Sequence, residues 1–286
     1  MVEINDFNFK FAIVVVPLIL FTIFLLPHEI KDSFLILKTD NPTLLSLFMS
    51  NYTHLTPEHL FWNVLAYLLT IFLILKIEIN KDLLNRMFIF LFLILPLPLS
   101  ILTVHIYPHQ TACGFSGIAA GFLGYLPAAA LRRIINIHDI VSHLYLLSLI
   151  FAINILMTFV NNQLVANFLH IILLSIFFIV LVNLKVILYI LSKLKNMFII
   201  KILKNKRLDL LVLSLILTLF CFLALAILIP YPNNIGETKV NLFVHYVAYF
   251  CGLYGSLVLL FLGRNSQIKC FRLKNVRICE MGVLRR

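Results

Sequence analysis

Gly114-Phe115-Ser116-Gly117-Ile118-Ala119-Ala120-Gly121-Phe122-Leu123-Gly124 is an apolar run of small residues with one serine near its start. A helix of this composition belongs inside a membrane, where a polar side chain is costly enough to point to function. Gly117, Gly121 and Gly124 recur at steps of four and three, so one stripe of the helix is nearly bare and a second helix can come close. Far downstream, another apolar helix carries a lone histidine, His245, with Ala248, Gly252 and Gly255 at +3, +7 and +10. Serine and histidine on two facing helices make the simplest nucleophile–base pair.

The surrounding sequence supports a membrane setting. Of 286 residues, 62% are hydrophobic and only 12% charged, far outside the range of soluble domains. Eight apolar segments, near 11–27, 58–76, 86–106, 114–131, 139–160, 164–192, 208–230 and 241–263, each approach the ~20 residues needed to cross a bilayer. The runs are continuous rather than alternating, and lipid offers no partner to open backbone, so the segments are helices. The expected fold class is an all-α, polytopic helical membrane protein, with 1–286 forming a single membrane domain. Phe11 to Pro27 lacks a small-x-small cleavage site and a strongly basic start, and reads as a retained helix. Leu44 to Met49, within the long 28–57 loop, reads as an interfacial element. Lys185 interrupts one segment; if it marks a helix end, 186–204 lies along the surface as a basic amphipathic stretch.

A net charge of +11 could suggest a nucleic-acid partner, but the charges cluster between apolar segments and near the C-terminus. With the N-terminus inside, nineteen Lys and Arg fall in inner loops or the 264–286 tail, and only Lys31, Lys38 and Lys239 fall outside. That asymmetry places both termini in the cytoplasm and makes the lipid bilayer, rather than nucleic acid, the partner. The five cysteines are scattered without zinc-like spacing or a disulfide framework. His28-Glu29 lacks the second histidine of a zinc-protease motif, and His138, Asp139 and His143 read as an interfacial cluster. No metal or cofactor is called for.

Candidate site residues share a depth. Thr56-Pro57-Glu58 reads as a helix start, with His59 and Asn63 four apart on one face. Measured to the basic residue that closes each helix, His59 lies ~25 Å, Asn63 ~20 Å, Ser116 ~24 Å and His245 ~28 Å away at 1.5 Å per residue. All four fall in the outer part of a ~30 Å core. His170 lies ~22 Å from Lys185 and is a rival base, though Leu173, Leu174 and Phe177 around it hold a neighbouring backbone away. Ser116 then acts as nucleophile and His245 as general base, a dyad because no acidic residue stands where it could orient the imidazole. The unpaired N–H of Ser116 in its first helical turn, the Asn63 amide and the His59 ring can donate to an oxyanion.

Together, His54-x4-His59-x3-Asn63, Gly114-x-Ser116-Gly117 with Gly121 and Gly124, and His245 with Gly252 resemble the rhomboid family of intramembrane serine proteases. The resemblance covers 54–131 and 241–263. It implies a six-helix core that cleaves transmembrane protein substrates, with Ser116 and His245 as the dyad, His59, Asn63 and the Ser116 N–H as the oxyanion site, and His54 as a structural loop histidine. With that core at 11–131 and 241–263, the count of apolar segments departs from the family by about two extra transmembrane helices within 139–230, between the serine and histidine helices. Helix count alone favours His170 as base; the glycine pattern favours His245. Ala248 and Ala120 stand where the family usually has glycine and where many bacterial members have tyrosine, and Leu45-Ser46 replaces its common Trp-Arg pair. The alternative function is a catalytically silent rhomboid-like protein that binds transmembrane helices.

Overall fold

The computed structural model describes residues 10–135 and 242–265, short stretches at 234–235, 238–239, 270–273 and 276–279, and the single positions 181, 184 and 188. His170 and nearly all of the segments expected within 139–230 lie outside the described residues. What is described is an all-α, polytopic membrane protein.

Among the described residues, five longer helices build the core, joined by two short ones. Helix α1 (Phe11–Phe24) is followed, across a 101° bend, by the short helix α2 (His28–Leu35). Pro27 makes that bend possible, since its extended backbone (φ −52°, ψ 146°) precedes α2. The strand β1 (Leu37–Lys38) and helix α3 (Leu44–Met49) follow. The apolar stretch expected at an interface is thus six residues of helix, closed by a reciprocal capping box between Thr43 and Ser46. Helix α4 (Pro57–Ile77) starts where the sequence indicates, with Thr56 Oγ1 accepting from His59 N at 3.3 Å. Asn80 caps α5 (Lys81–Ile106) in the same manner, accepting from Leu83 N at 3.0 Å. The strand β2 (Thr111–Ala112) pairs antiparallel with β1, Leu37 opposite Ala112. Then come α6 (Ser116–Ile135) and, after the hairpin strands β3 (Asn234–Ile235) and β4 (Thr238–Lys239), α7 (Leu242–Asn265). A second two-stranded ribbon, β5 (Cys270–Leu273) with β6 (Val276–Cys279), follows α7.

Among the described residues, Pro57–Ile77, Lys81–Ile106 and Phe243–Leu262 are long and apolar enough to span a membrane. Their outer faces expose Phe61, Leu69, Phe72, Leu93, Phe250 and Val258, side chains suited to hydrocarbon. Helix α6 differs. Every residue from Gly117 to Ala130 is buried, so α6 is the axis around which the others pack. Its apolar part, Ser116–Ala130, is too short for a full span. Ahead of it the chain turns inward, from exposed Thr111 to buried Phe115, and half-buried Ser116 follows.

Two of the helices carry a wide, π-type turn that ends before a proline. Val16 N bonds Phe11 O just before Pro17, and Leu95 N bonds Phe90 O just before Pro96. Such wide turns accommodate the break that proline forces. A tyrosine attends each: Tyr67 Oη donates to Ala12 O at 2.9 Å, and Tyr52 Oη donates to Phe92 O. Between them lies an aromatic core in which Tyr67 meets Phe92, Phe115 and Phe122 edge-on at 5.3–6.1 Å.

At the end of α6 away from Ser116 lies a buried ion pair. Glu78 Oε2 accepts from Arg132 Nη2 at 2.6 Å and Nε at 3.2 Å, and from Tyr125 Oη at 2.6 Å. Glu78 Oε1 takes the Asn80 N–H at 2.9 Å. Arg132 Nη1 also donates to Ser256 Oγ at 3.4 Å, so the knot joins α4, α6 and α7. The sequence reading counts Arg132 as one of the solvated charges that set topology; the structure instead buries it, because a carboxylate and two hydroxyl-bearing side chains converge on its position. Removing one partner leaves the other charged and unpaired. Glu78→Ala is expected to lower stability by about 3–5 kcal/mol, and Glu78→Leu with Arg132→Met by clearly less. Unfolding of detergent-purified protein checks this, and simple additivity of the two single losses would refute the coupling.

Candidate active site

The site assembles from helix starts. Ser116 is the first residue of α6, His245 the fourth of α7, His59 the third of α4 and Asn63 one turn further in. All four sit at one end of the bundle. His245 Nε2 lies 2.7 Å from Ser116 Oγ, across 129 residues of sequence. With Nε2 accepting the serine hydroxyl, the ring proton resides on Nδ1. That Nδ1 is buried and has no hydrogen-bond partner among the described residues, and His245 is only 6% exposed. Among the described residues the contact is thus a two-residue one, with no carboxylate bonded to the imidazole.

The backbones of α6 and α7 make this reach possible. A Cβ on Gly252 would lie 1.8 Å from Gly121 O, and one on Gly124 would lie 2.0 Å from Tyr249 O. Both clashes are with backbone, which cannot swing aside. Gly121 faces the Leu91 and Leu95 side chains and Ala248 O, and Gly117 faces Leu99 Cδ1 at 3.0 Å. Ala248 is fully buried at the seam. The stripes noted in the sequence therefore meet at Gly121, Gly124, Ala248 and Gly252, whereas Gly255 faces the Phe90 ring of α5; the close contact sets the depth at which His245 meets Ser116.

Gly114 is required for two separate reasons. Its φ of +135° is closed to ordinary side chains, and a Cβ there would lie 2.6 Å from His59 Cε1. The half-buried His59 ring consequently lies against the chain just before Ser116. It also meets the His54 ring edge-on at 5.1 Å. Gly114 N donates to Ser50 O at 2.8 Å.

His54 is fully buried and receives two donors at Nε2: the Phe115 N–H at 3.3 Å and Asn63 Nδ2 at 3.0 Å. It therefore holds both the backbone preceding Ser116 and one hydrogen of the Asn63 amide, leaving that amide's second hydrogen to face elsewhere. Burial, aided by His59 nearby, pushes the His54 pKa down to about 3 and keeps the ring neutral. Burial likewise pushes the thiol of Cys113, one residue before Gly114, up to about 11, so it stays protonated at neutral pH.

Sequence reading missed the polar group beneath this segment. Asn51 Nδ2 donates to Ser100 Oγ at 2.8 Å and to Pro96 O at 3.2 Å, and Ser50 Oγ lies 3.4 Å from Ser100 Oγ. The available signal was Asn51 ending an apolar stretch, and Ser100 inside a span close to two prolines.

Comparison with known proteins agrees with this architecture. A rhomboid domain model matches residues 41–182, from the loop ahead of α3 through α6 and beyond. The chain belongs to the rhomboid family. That family comprises, in general, intramembrane serine proteases acting on transmembrane substrates, and it has inactive members. The matched stretch includes position 170 and stops short of α7. Neither a curated protein nor a solved structure matches the chain.

Two outcomes test the geometry. Gly252→Ala is expected to destabilise the protein by about 1–3 kcal/mol, and to slow fluorophosphonate labelling of Ser116 more than Gly117→Ala, whose neighbour is a movable leucine tip. Equal effects of the two would count against the seam as the positioning element. Folded His54 binds its proton only near pH 3, whereas the unfolded residue binds it near 6.5. Stability therefore holds above about pH 6.5 and declines as pH falls below it. His54→Gln is expected to flatten that decline in a pH series of unfolding curves; an unchanged slope would place the acid sensitivity elsewhere.

Proposed function

We propose that this protein is an intramembrane serine endopeptidase that cleaves transmembrane protein substrates through a Ser116–His245 dyad. The observation that carries the reading is the 2.7 Å approach of His245 Nε2 to Ser116 Oγ near the starts of two helices. His245 removes the Ser116 proton as Oγ attacks the scissile carbonyl carbon, giving a tetrahedral oxyanion. Protonated His245 then gives that proton to the departing amine nitrogen as the C–N bond breaks, leaving an ester on Ser116. Water, deprotonated by His245, attacks the ester carbonyl; the C–Oγ bond breaks, the serine recovers its proton, and the acid product leaves.

The oxyanion is stabilised by the Ser116 N–H, unpaired in the first turn of α6, with His59 and the free hydrogen of the Asn63 amide as side-chain donors. His54 supports this set by holding Phe115 N and Asn63. Gly114, Gly117, Gly121 and Gly252 allow the close approaches around it. His245 is preferred to His170 because of its 2.7 Å contact with the serine. The chain is one membrane domain, with core 11–131 and 241–263, and both termini face the cytoplasm, a topology supported by the lysine and arginine asymmetry. Substrate segments then enter from the opposite side of the bilayer, where the dyad lies.

Incubation of detergent-purified protein with a transmembrane substrate tests the reading. Ser116→Ala is expected to abolish cleavage and fluorophosphonate labelling, and His245→Ala to reduce both about 10²–10⁴-fold. His59→Ala and Asn63→Ala should each cost roughly 10–10³-fold in kcat. Cleavage that persists in Ser116→Ala would end the proposal. Retained helix binding without labelling or cleavage in the wild type would favour the non-catalytic alternative.

A further inference from the structure

The break at Pro96 in α5 has no role in the dyad chemistry, yet three consecutive residues of the loop before α4 converge on it. Proline has no N–H to return to the carbonyl one turn earlier, so Phe92 O loses its helical donor. Tyr52 Oη supplies the missing donor. Asn51 Nδ2 reaches Pro96 O at 3.2 Å and Ser100 Oγ at 2.8 Å, one turn further on. Ser50 Oγ lies 3.4 Å from the same Ser100 hydroxyl. These three residues form a single 3-10 turn, Ser50–Tyr52, so they dock as one unit.

The unit also reaches the chain ahead of the nucleophile. Ser50 O accepts the Gly114 N–H at 2.8 Å. The Tyr52 ring packs on the Phe115 ring at 6.0 Å, and Phe115 in turn stacks on Phe92 at 6.3 Å. Two residues beyond Tyr52, His54 accepts the Phe115 N–H. The amide of Gly114 and that of Phe115 are therefore both held by acceptors whose positions follow from the docked turn. The next amide in the chain is that of Ser116.

We propose that Tyr52 and Ser100 are positioning residues for the Ser116 backbone, with the proline break in α5 serving as the dock on which the 50–52 turn sets the height of the Gly114–Ser116 segment. Neither residue touches substrate. They act by fixing where the Ser116 N–H points, so their loss slows acylation without removing a reacting group. This rests on Ser116 being the nucleophile.

The experiment separates positioning from stability by using the proline itself. Tyr52→Phe deprives Phe92 O of its donor; adding Pro96→Ala returns a backbone N–H to that carbonyl but does not redock the loop. Fluorophosphonate labelling rate and thermal unfolding are measured for wild type, Tyr52→Phe, Ser100→Ala and Tyr52→Phe/Pro96→Ala, with labelling run where each is fully folded. The expected result is labelling slowed roughly tenfold or more in all three variants, including the double variant, whose unfolding temperature recovers toward wild type. Labelling rates that match wild type, or that rise and fall with the unfolding temperature across the three, would overturn the proposal. A wild-type protein that does not label at all would instead overturn the dyad reading itself.

Discussion

The arrangement depends on two backbones touching. Where α6 and α7 cross, Gly252 sits against the carbonyl of Gly121, and Gly124 against that of Tyr249, with no space for even a methyl group. In lipid, apolar side chains gain little by leaving hydrocarbon for protein, so helix association relies on close van der Waals fit and on polar contacts. The glycine seam supplies the fit along most of its length. The Ser116–His245 hydrogen bond at one end and the Arg132–Ser256 bond at the other supply the polar contacts. A wider crossing would break both contacts.

Much of this was legible in the sequence because the signal was redundant. The glycine stripes, the depth of each polar residue and the helix start at Thr56-Pro57 each bear on the same arrangement, and the described helices begin and end close to the expected positions. The loop was less legible. Helix α2 arises from His28-Glu29-Ile30-Lys31-Asp32-Ser33-Phe34-Leu35, which has no clear apolar periodicity; its helicity follows from the turn at Pro27 and its packing, not from local pattern. The Glu78–Arg132 pair was hidden for another reason. Arginine near the end of an apolar segment is the ordinary signature of a loop facing the cytoplasm, and nothing local distinguishes one that folds back onto a carboxylate 54 positions earlier.

Polar groups in this protein are satisfied by contacts between distant segments, and prolines create several of the vacancies. Pro17 and Pro96 each interrupt a long helix, and a tyrosine from another element supplies a donor at each interruption. A free carbonyl within a bundle costs on the order of 1–3 kcal/mol if unmet. Each break is therefore also a point of attachment with a defined partner. Helix irregularity here contributes to specificity of packing, because among the described residues one tyrosine hydroxyl reaches each freed oxygen.

The knot around Glu78 gives assembly a cooperative character. Arg132 belongs to α6, Glu78 follows α4 and Ser256 lies on α7, and no two of these helices satisfy the guanidinium fully without the third. A chain in which α6 has met only α4 still carries an unfilled donor in a water-poor setting, and one in which α6 has met only α7 carries a bare cation. Partly associated intermediates are thus penalised by electrostatics, and the three helices gain their full stability only as a set. The hydroxyl and imidazole at the far end lie on two of these same helices, so their contact depends on a charge cluster that touches neither of them.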